Sequence, residues 1–312
     1  MTSSPGGPAR RRARRRPILS AALVTVVIGG VTAGGTVYVK ARAHDDGGRT
    51  VASRVQAAQK EASVEPVTRP AVDRTALLGA AMKAVDVPSG AAVSAAVLDL
   101  GSGESAVYGK GAFDTASIVK VDILAALLLR AQDEGRHLTA AEKAYAAKMI
   151  GASDNASATA LWDVVGGAKG LDAANARFGL TGTSAGTNGL WGLTRTTAKD
   201  QLTLLRQVFG SDSKLTSASR AYLRELMESV DAGQRWGVSA AAGSGVTALK
   251  NGWLPRSTTG LWVVNSIGRV ETADGSAYLV AVLSRGTVTQ ADGISLVESA
   301  ARAAVRTFAG PA

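Results

Sequence analysis

The stretch Thr115-Ala116-Ser117-Ile118-Val119-Lys120-Val121-Asp122-Ile123-Leu124-Ala125-Ala126-Leu127-Leu128-Leu129-Arg130 decides how the chain is read. From Ile118 to Leu129 it is apolar except for Lys120 and Asp122, long enough for a buried helix, and Gly135 after Asp133-Glu134 marks its stop. Residues three apart share a helix face, so Ser117 Oγ and the Lys120 amine are expected to be neighbours. At the helix start, backbone N–H groups point at any anion formed beside Ser117. A hydroxyl needs a base before it attacks, and burial disfavours the charged form of a lysine, which equips Lys120 for that task. The pair therefore reads as a serine acyl-transfer site. A second Ser-x-x-Lys, Ser211–Lys214, sits in a polar turn after Gly210 and has none of this context.

Composition narrows the chemistry. The 312 residues carry a formal charge of +10, but Arg10, Arg11, Arg12, Arg14, Arg15, Arg16, Lys40 and Arg42 all precede the first acidic residue, Asp45. Removing these eight leaves +2 from His44 onward, so the basic balance is a localisation signal and implies no nucleic acid. The absence of cysteine removes disulfides, thiolate nucleophiles and cysteine metal sites. His44 and His137 are the only histidines, neither has a metal-ligand spacing, and no cofactor or metal is expected. A serine nucleophile here is paired with lysine more naturally than with histidine.

Residues 1–16 read as a basic cytoplasmic tail. Pro17 to Val39 is a run of 23 residues without charge, enough for a transmembrane signal anchor whose flanking arginines place the remainder outside the cell. A cleaved signal peptide is the rival reading, in which the domain is secreted. Residues 40–72 read as a linker, and 73–312 as the folded domain. Asp73 is expected to cap a helix running to Val85, and Ala92–Leu100 with Glu104–Tyr108 reads as a β-hairpin. Thr139-Ala140-Ala141-Glu142 is a capping box opening a helix that ends near Ile150-Gly151. Helices are expected at Ser157–Val165, Leu171–Phe178, Thr197–Phe209 and Ser217–Val230, strands at Leu261–Ile267 and Ala277–Leu283, and a final helix at Ser295–Phe308. Early and late strands pairing around a helical middle predict an α+β fold, an antiparallel sheet flanked by helices with an inserted all-α lobe, preceded by the transmembrane helix.

Two further triplets stand in informative places. Ser153-Asp154-Asn155 lies between two expected helices, and Lys250-Asn251-Gly252 precedes Trp253 where the late strands begin. Together with Ser117-Ile118-Val119-Lys120, in this order, they resemble the serine penicillin-recognising enzymes, which include class A β-lactamases and D,D-peptidases. The resemblance spans about Asp73 to Phe308 and includes Gly166-Gly167, Leu171 and Thr196-Thr197. It implies Ser117 as nucleophile, Lys120 as its base, Ser153 as a proton relay to the leaving nitrogen, and Asn155 bonding the substrate amide and Lys120. It further implies Lys250, with Asn251 and Gly252, at the substrate carboxylate, and an oxyanion hole of the Ser117 and Trp253 backbone N–H groups.

Three departures from that pattern bear on function. No Asp or Glu lies between Asp172 and Asp200, so the loop Thr181–Thr194 lacks the base that activates deacylating water in class A enzymes. Asn251 replaces the usual Thr or Ser. The interval from Ser117 to Ser153 is 36 residues, shorter than in class A enzymes, which predicts a more open cleft. Arg256, Arg269 and Arg285 are each candidates to assist Lys250. The leading expectation is a membrane-anchored extracytoplasmic serine hydrolase or acyltransferase acting on a carboxylate-bearing peptide, amide or ester, such as a peptidoglycan stem peptide or a β-lactam. The alternatives are a β-lactamase with atypical deacylation and a non-catalytic cell-wall-binding surface protein.

Overall fold

The computed structural model describes residues 72–243 and 245–308. The basic tail, the apolar stretch 17–39 and the linker up to residue 71 lie outside the described residues. No helix among the described residues is long and apolar enough to cross a membrane.

Asp73 accepts the Ala76 N–H at 2.9 Å and starts α1 (Arg74–Met82), which stops three residues short of the expected Val85. The hairpin forms as expected from β1 (Ala92–Asp99) and β2 (Ser105–Tyr108), and a short β3 (Phe113–Asp114) follows. A single 3-10 turn over Ala116–Ile118 leads into α2 (Val119–Asp133). Twelve of the fifteen α2 residues are buried, including Lys120 and Asp122, so this helix is the axis of the helical lobe rather than a surface element. Both halves of the predicted capping box are present at Thr139 and Glu142, opening α3 (Ala140–Gly151). Next come α4 (Asn155–Val165), α5 (Gly167–Phe178), β4 (Arg195–Thr196), α6 (Ala198–Phe209) and α7 (Ser217–Glu228). The chain ends with β5 (Ala248–Pro255), β6 (Trp262–Glu271), β7 (Ala277–Thr287) and α8 (Gln290–Arg306).

Five strands form one antiparallel sheet in the order β2-β1-β7-β6-β5, so early and late strands meet at β1 and β7, with Ala95 opposite Val282 and Val97 opposite Val280. Helices α6 and α8 both pack on β7, β6 and β1, and the unbroken burial of Ser94–Leu98 places these helices on opposite faces. The α+β architecture expected from the sequence is present. Several boundaries differ from those expected, some for evident local reasons. Asp154, not Ser157, starts α4 by accepting the Ser157 N–H at 2.7 Å. Thr289 caps α8 five residues before the expected start. Lys250-Asn251-Gly252 lies in β5, the strand expected to begin there, and β5 forms the sheet edge that faces the helical lobe.

Candidate active site

The site lies where edge strand β5 meets the start of α2. Ala116 has φ 48°, a left-handed conformation that costs a non-glycine residue energy and turns the chain sharply before Ser117. Asn265 on β6 holds that turn by donating to the carbonyls of Asp114 and Thr115, both at 2.9 Å, while its own Oδ1 accepts the Ser284 N–H at 3.0 Å. Every polar group of this buried amide that faces the turn is thus used. On the other side, β5 runs so close to the turn that a Cβ on Gly252 would lie 2.6 Å from Ser117 N and 2.7 Å from Ile118 N. Only glycine fits there, because the clashing atoms are backbone.

Lys120 is fully buried and its amine sits at the centre of the polar floor. Nζ lies 3.0 Å from Ser117 Oγ, 2.8 Å from Asn155 Oδ1, 3.1 Å from Ser153 Oγ and 2.6 Å from the Ser153 carbonyl. Ser153 can offer both its carbonyl and its hydroxyl because it too is left-handed, with φ 57°. The same hydroxyl accepts from Lys250 Nζ at 3.0 Å, and Lys250 also donates to the Asn251 carbonyl at 2.9 Å. Ser153 Oγ therefore bridges two buried lysines. Desolvation pulls the Lys120 amine down to about 8, opposed by the charge of Asp154, and desolvation with the nearby Lys120 charge pulls Lys250 down to about 7. Both groups exchange protons close to neutrality, where a general base is most effective.

The structure brings together Ser117, Lys120, Ser153, Asn155, Lys250, Gly252 and Trp253. Asn251 is a correction. Its side chain is buried and points away from the cleft, and its N–H groups donate to the carbonyls of Gln234 at 2.7 Å and Trp236 at 2.9 Å. The residue braces the segment behind β5 instead of meeting a substrate carboxylate. Strand alternation explains this, since Lys250 and Asn251 must face opposite ways. The three arginines are engaged elsewhere: Arg256 with Asp114 at 3.0 Å, Arg269 with Glu271 at 3.0 Å, and Arg285 with the Ala112 carbonyl at 2.9 Å. The cations beside Ser153 are Lys250 and Lys120.

The other half of the cleft is apolar. A cavity of about 290 Å³ opens over Ser117 and Asn155, between Leu190, Trp191 and Leu193 on one side and Trp253 and Leu254 on the other. Trp191 stands over the Lys120 amine, 5.0 Å from ring centre to Nζ, and its indole N–H donates to Thr159 Oγ1 at 3.2 Å. Its loop is tied to the nucleophile's turn, where Thr115 N donates to the Thr194 carbonyl at 2.8 Å. Sequence reasoning missed Trp191 and Asn265 because both act across long sequence separations. The chain also contains Gly182-Thr183-Ser184-Ala185-Gly186, the Gly-x-Ser-x-Gly spacing of a different hydrolase class. Ser184 is bridged to Arg195 instead of sitting at a strand-to-helix elbow, so this second serine is no part of the site.

A model of the beta-lactamase enzyme family matches residues 141–308, more than half of the chain. The chain belongs to that family. It is a serine hydrolase of the penicillin-recognising kind, although the matched span begins after Ser117 and Lys120. Solved structures of the same fold include PBP-A, in a variant captured as an acyl-enzyme with penicillin G, at 24% identity and a TM-score of 0.65. That match covers 75% of this chain and 96% of the other. A class A beta-lactamase from Mycobacterium abscessus matches at 20% identity and a TM-score of 0.62, over 76% and 100% of the two chains. Among curated sequences, the protein LppW of Mycobacterium tuberculosis, named as a lipoprotein, is 29% identical over 265 residues, 78% of this chain and 83% of its own.

Proposed function

We propose that this family member is an extracytoplasmic enzyme that forms an ester on Ser117 with a carboxylate-bearing peptide, amide or lactam of cell-wall type. The observation that carries the reading is the Lys120 amine, 3.0 Å from Ser117 Oγ and brought near neutrality by burial. In the unprotonated form it takes the Ser117 proton as Oγ bonds to the substrate carbonyl carbon. The resulting oxyanion is received by the backbone N–H groups of Ser117 and Trp253, an interaction worth roughly 3 kcal/mol per donor in such sites. The carbonyl–nitrogen bond then breaks, and Ser153 Oγ passes a proton to the leaving nitrogen while taking one from the lysine pair. Lys250, as ammonium, attracts the substrate carboxylate. Asn155, through the amide nitrogen that Lys120 does not use, positions the substrate's own amide.

Release of the acyl group is the weak half of the cycle. The loop Thr181–Thr194 supplies no carboxylate, and an aromatic ring covers the Lys120 amine. Missing one general base typically costs about 10²–10⁴-fold. A persistent acyl-enzyme, open to an acceptor other than water, follows. Membrane attachment is proposed through the apolar stretch 17–39. LppW supports a membrane-associated setting, but a cysteine-linked lipid is chemically impossible in a sequence without cysteine.

One experiment addresses both site and topology. A membrane-impermeant fluorescent penicillin should label the full-length protein on intact cells, and Ser117→Ala should abolish the label. Labelling only after lysis would contradict the outside placement, and unchanged labelling of the alanine variant would contradict Ser117 as nucleophile.

A further inference from the structure

The apolar half of the cleft has a consequence for substrate choice. None of the ten residues lining the cavity over Ser117 is charged, and the whole loop from Thr181 to Thr194 carries no Asp, Glu, Lys or Arg. The two facing walls are aromatic and held in place. Trp191 is fixed by its N–H bond to Thr159, and Trp253 leans on Trp236 with ring centres 5.7 Å apart. Leu190, at 55% exposure, extends the apolar surface to the rim. The cations of the site, Lys120 and Lys250, lie buried in the floor, and the Trp191 ring stands between the cavity wall and the Lys120 amine.

We infer that the cleft between Leu190-Trp191 and Trp253-Leu254 selects acyl donors whose arm next to the reacting carbonyl is uncharged and apolar, aromatic or branched aliphatic. The inference rests on the Ser117-ester reading and deepens it. An aromatic arm laid against these walls buries apolar area and loses contact with water. A charged arm at the same place surrenders its hydration without a counter-charge, because the lining offers none. The substrate's one anionic group therefore belongs on the far side of the scissile bond, toward Lys250, and peptides charged immediately beside the acyl carbonyl are poor donors. Trp191 is a specificity-determining residue in this account.

The test compares acylation rate constants of the full-length protein with three penams that share the ring carboxylate. Benzylpenicillin carries an apolar aryl arm, carbenicillin the same arm with an added carboxylate, and 6-aminopenicillanic acid no acyl arm. Benzylpenicillin should acylate at least tenfold faster than either of the others, a difference of about 1.4 kcal/mol. In Trp191→Ala the ratio of benzylpenicillin to 6-aminopenicillanic acid should fall at least tenfold, and Trp191→Phe should restore most of it. Equal rates for the three penams in the unaltered protein, or a ratio unmoved by Trp191→Ala, overturns the inference while leaving the Ser117 ester intact. Absence of an adduct with all three overturns both.

Discussion

The two halves of the cleft are built from different materials and do different work. On the floor, the two amines are densely bonded: Lys120 reaches three side chains and a carbonyl, and Ser153 Oγ touches both lysines. Across the opening, the loop that carries Trp191 offers the reacting centre no titratable group at all. In the proposed reading, the polar half makes the Ser117 ester, and the loop of the apolar half has no carboxylate to activate water against it. The difference teaches that one fold can keep the acylating machinery intact while the loop facing it sets the fate of the acyl group.

The comparison breaks most severely at Gly252. Its replacement by alanine drives a methyl group into Ser117 N and Ile118 N, and neither backbone can yield without moving the nucleophile. Gly252→Ala should lower the acylation rate constant by about 10²–10³-fold, since small misplacements of reacting groups cost that much. Stopped-flow quenching of intrinsic fluorescence by a penicillin would check it, and near-normal acylation would show that β5 does not constrain the nucleophile.

A pH profile probes the polar floor more gently. The two lysines titrate around 7 and 8, linked through Ser153 Oγ. The productive state has amine at Lys120 and ammonium at Lys250; with Lys250 the lower of the two it is the minor one-proton arrangement, reached from the major one by proton exchange through Ser153 Oγ. Below about 7 both lysines are charged and Lys120 cannot accept the Ser117 proton. Above about 8 the pair is neutral and the carboxylate loses its partner. The acylation rate constant should therefore follow a narrow bell with its maximum between these values, falling about tenfold per pH unit on each limb. A rate independent of pH from 6 to 9 would remove Lys120 from the role of base.

The smallest effect belongs to the ground beneath the loop. Asp122 is buried in α2, and burial pushes its carboxyl up to about 8, opposed by a side-chain hydrogen bond with the Asn175 amide. Asp172 and Asp200 push it up further, and these two accept the N–H groups of Ala185 and Gly182 and so pin the loop's start. The folded form keeps Asp122 protonated while the unfolded chain ionises it from about pH 4. Its contribution to stability is full below that value and is lost progressively as pH rises to about 8. Asp122→Asn should flatten this fall, so that the variant's Tm gains several degrees on the parent between pH 4 and pH 8. A Tm difference constant over that range would show that Asp122 is ionised in the fold.

Much of this was legible from residues alone, for physical reasons. Apolar runs and caps are local, so α2, the Thr139–Glu142 box and the sheet pairing of early with late strands could be read directly. The meeting of Ser117, Lys120, Ser153 and Lys250 followed from the order and setting of three short motifs and the family they resemble. What escaped reading depends on strand phase and on distant packing. The inward or outward side of β5 sends Asn251 away from the cleft, and no local signal states that phase. Asn265 bracing Thr115, and Trp191 standing over Lys120, join residues far apart in sequence. The choice among three arginines dissolved because each already has a partner.

The most direct test of the account is the lifetime of the acyl-enzyme. The full-length protein is reacted with benzylpenicillin, freed of excess reagent, and followed by intact-mass spectrometry with peptide mapping of the adduct. The account predicts a single adduct on the peptide containing Ser117 that persists for many minutes, with turnover in bulk correspondingly slow. An adduct that disappears within seconds while benzylpenicillin is consumed catalytically would contradict it and mark the chain as a β-lactamase with a water-activating group of its own.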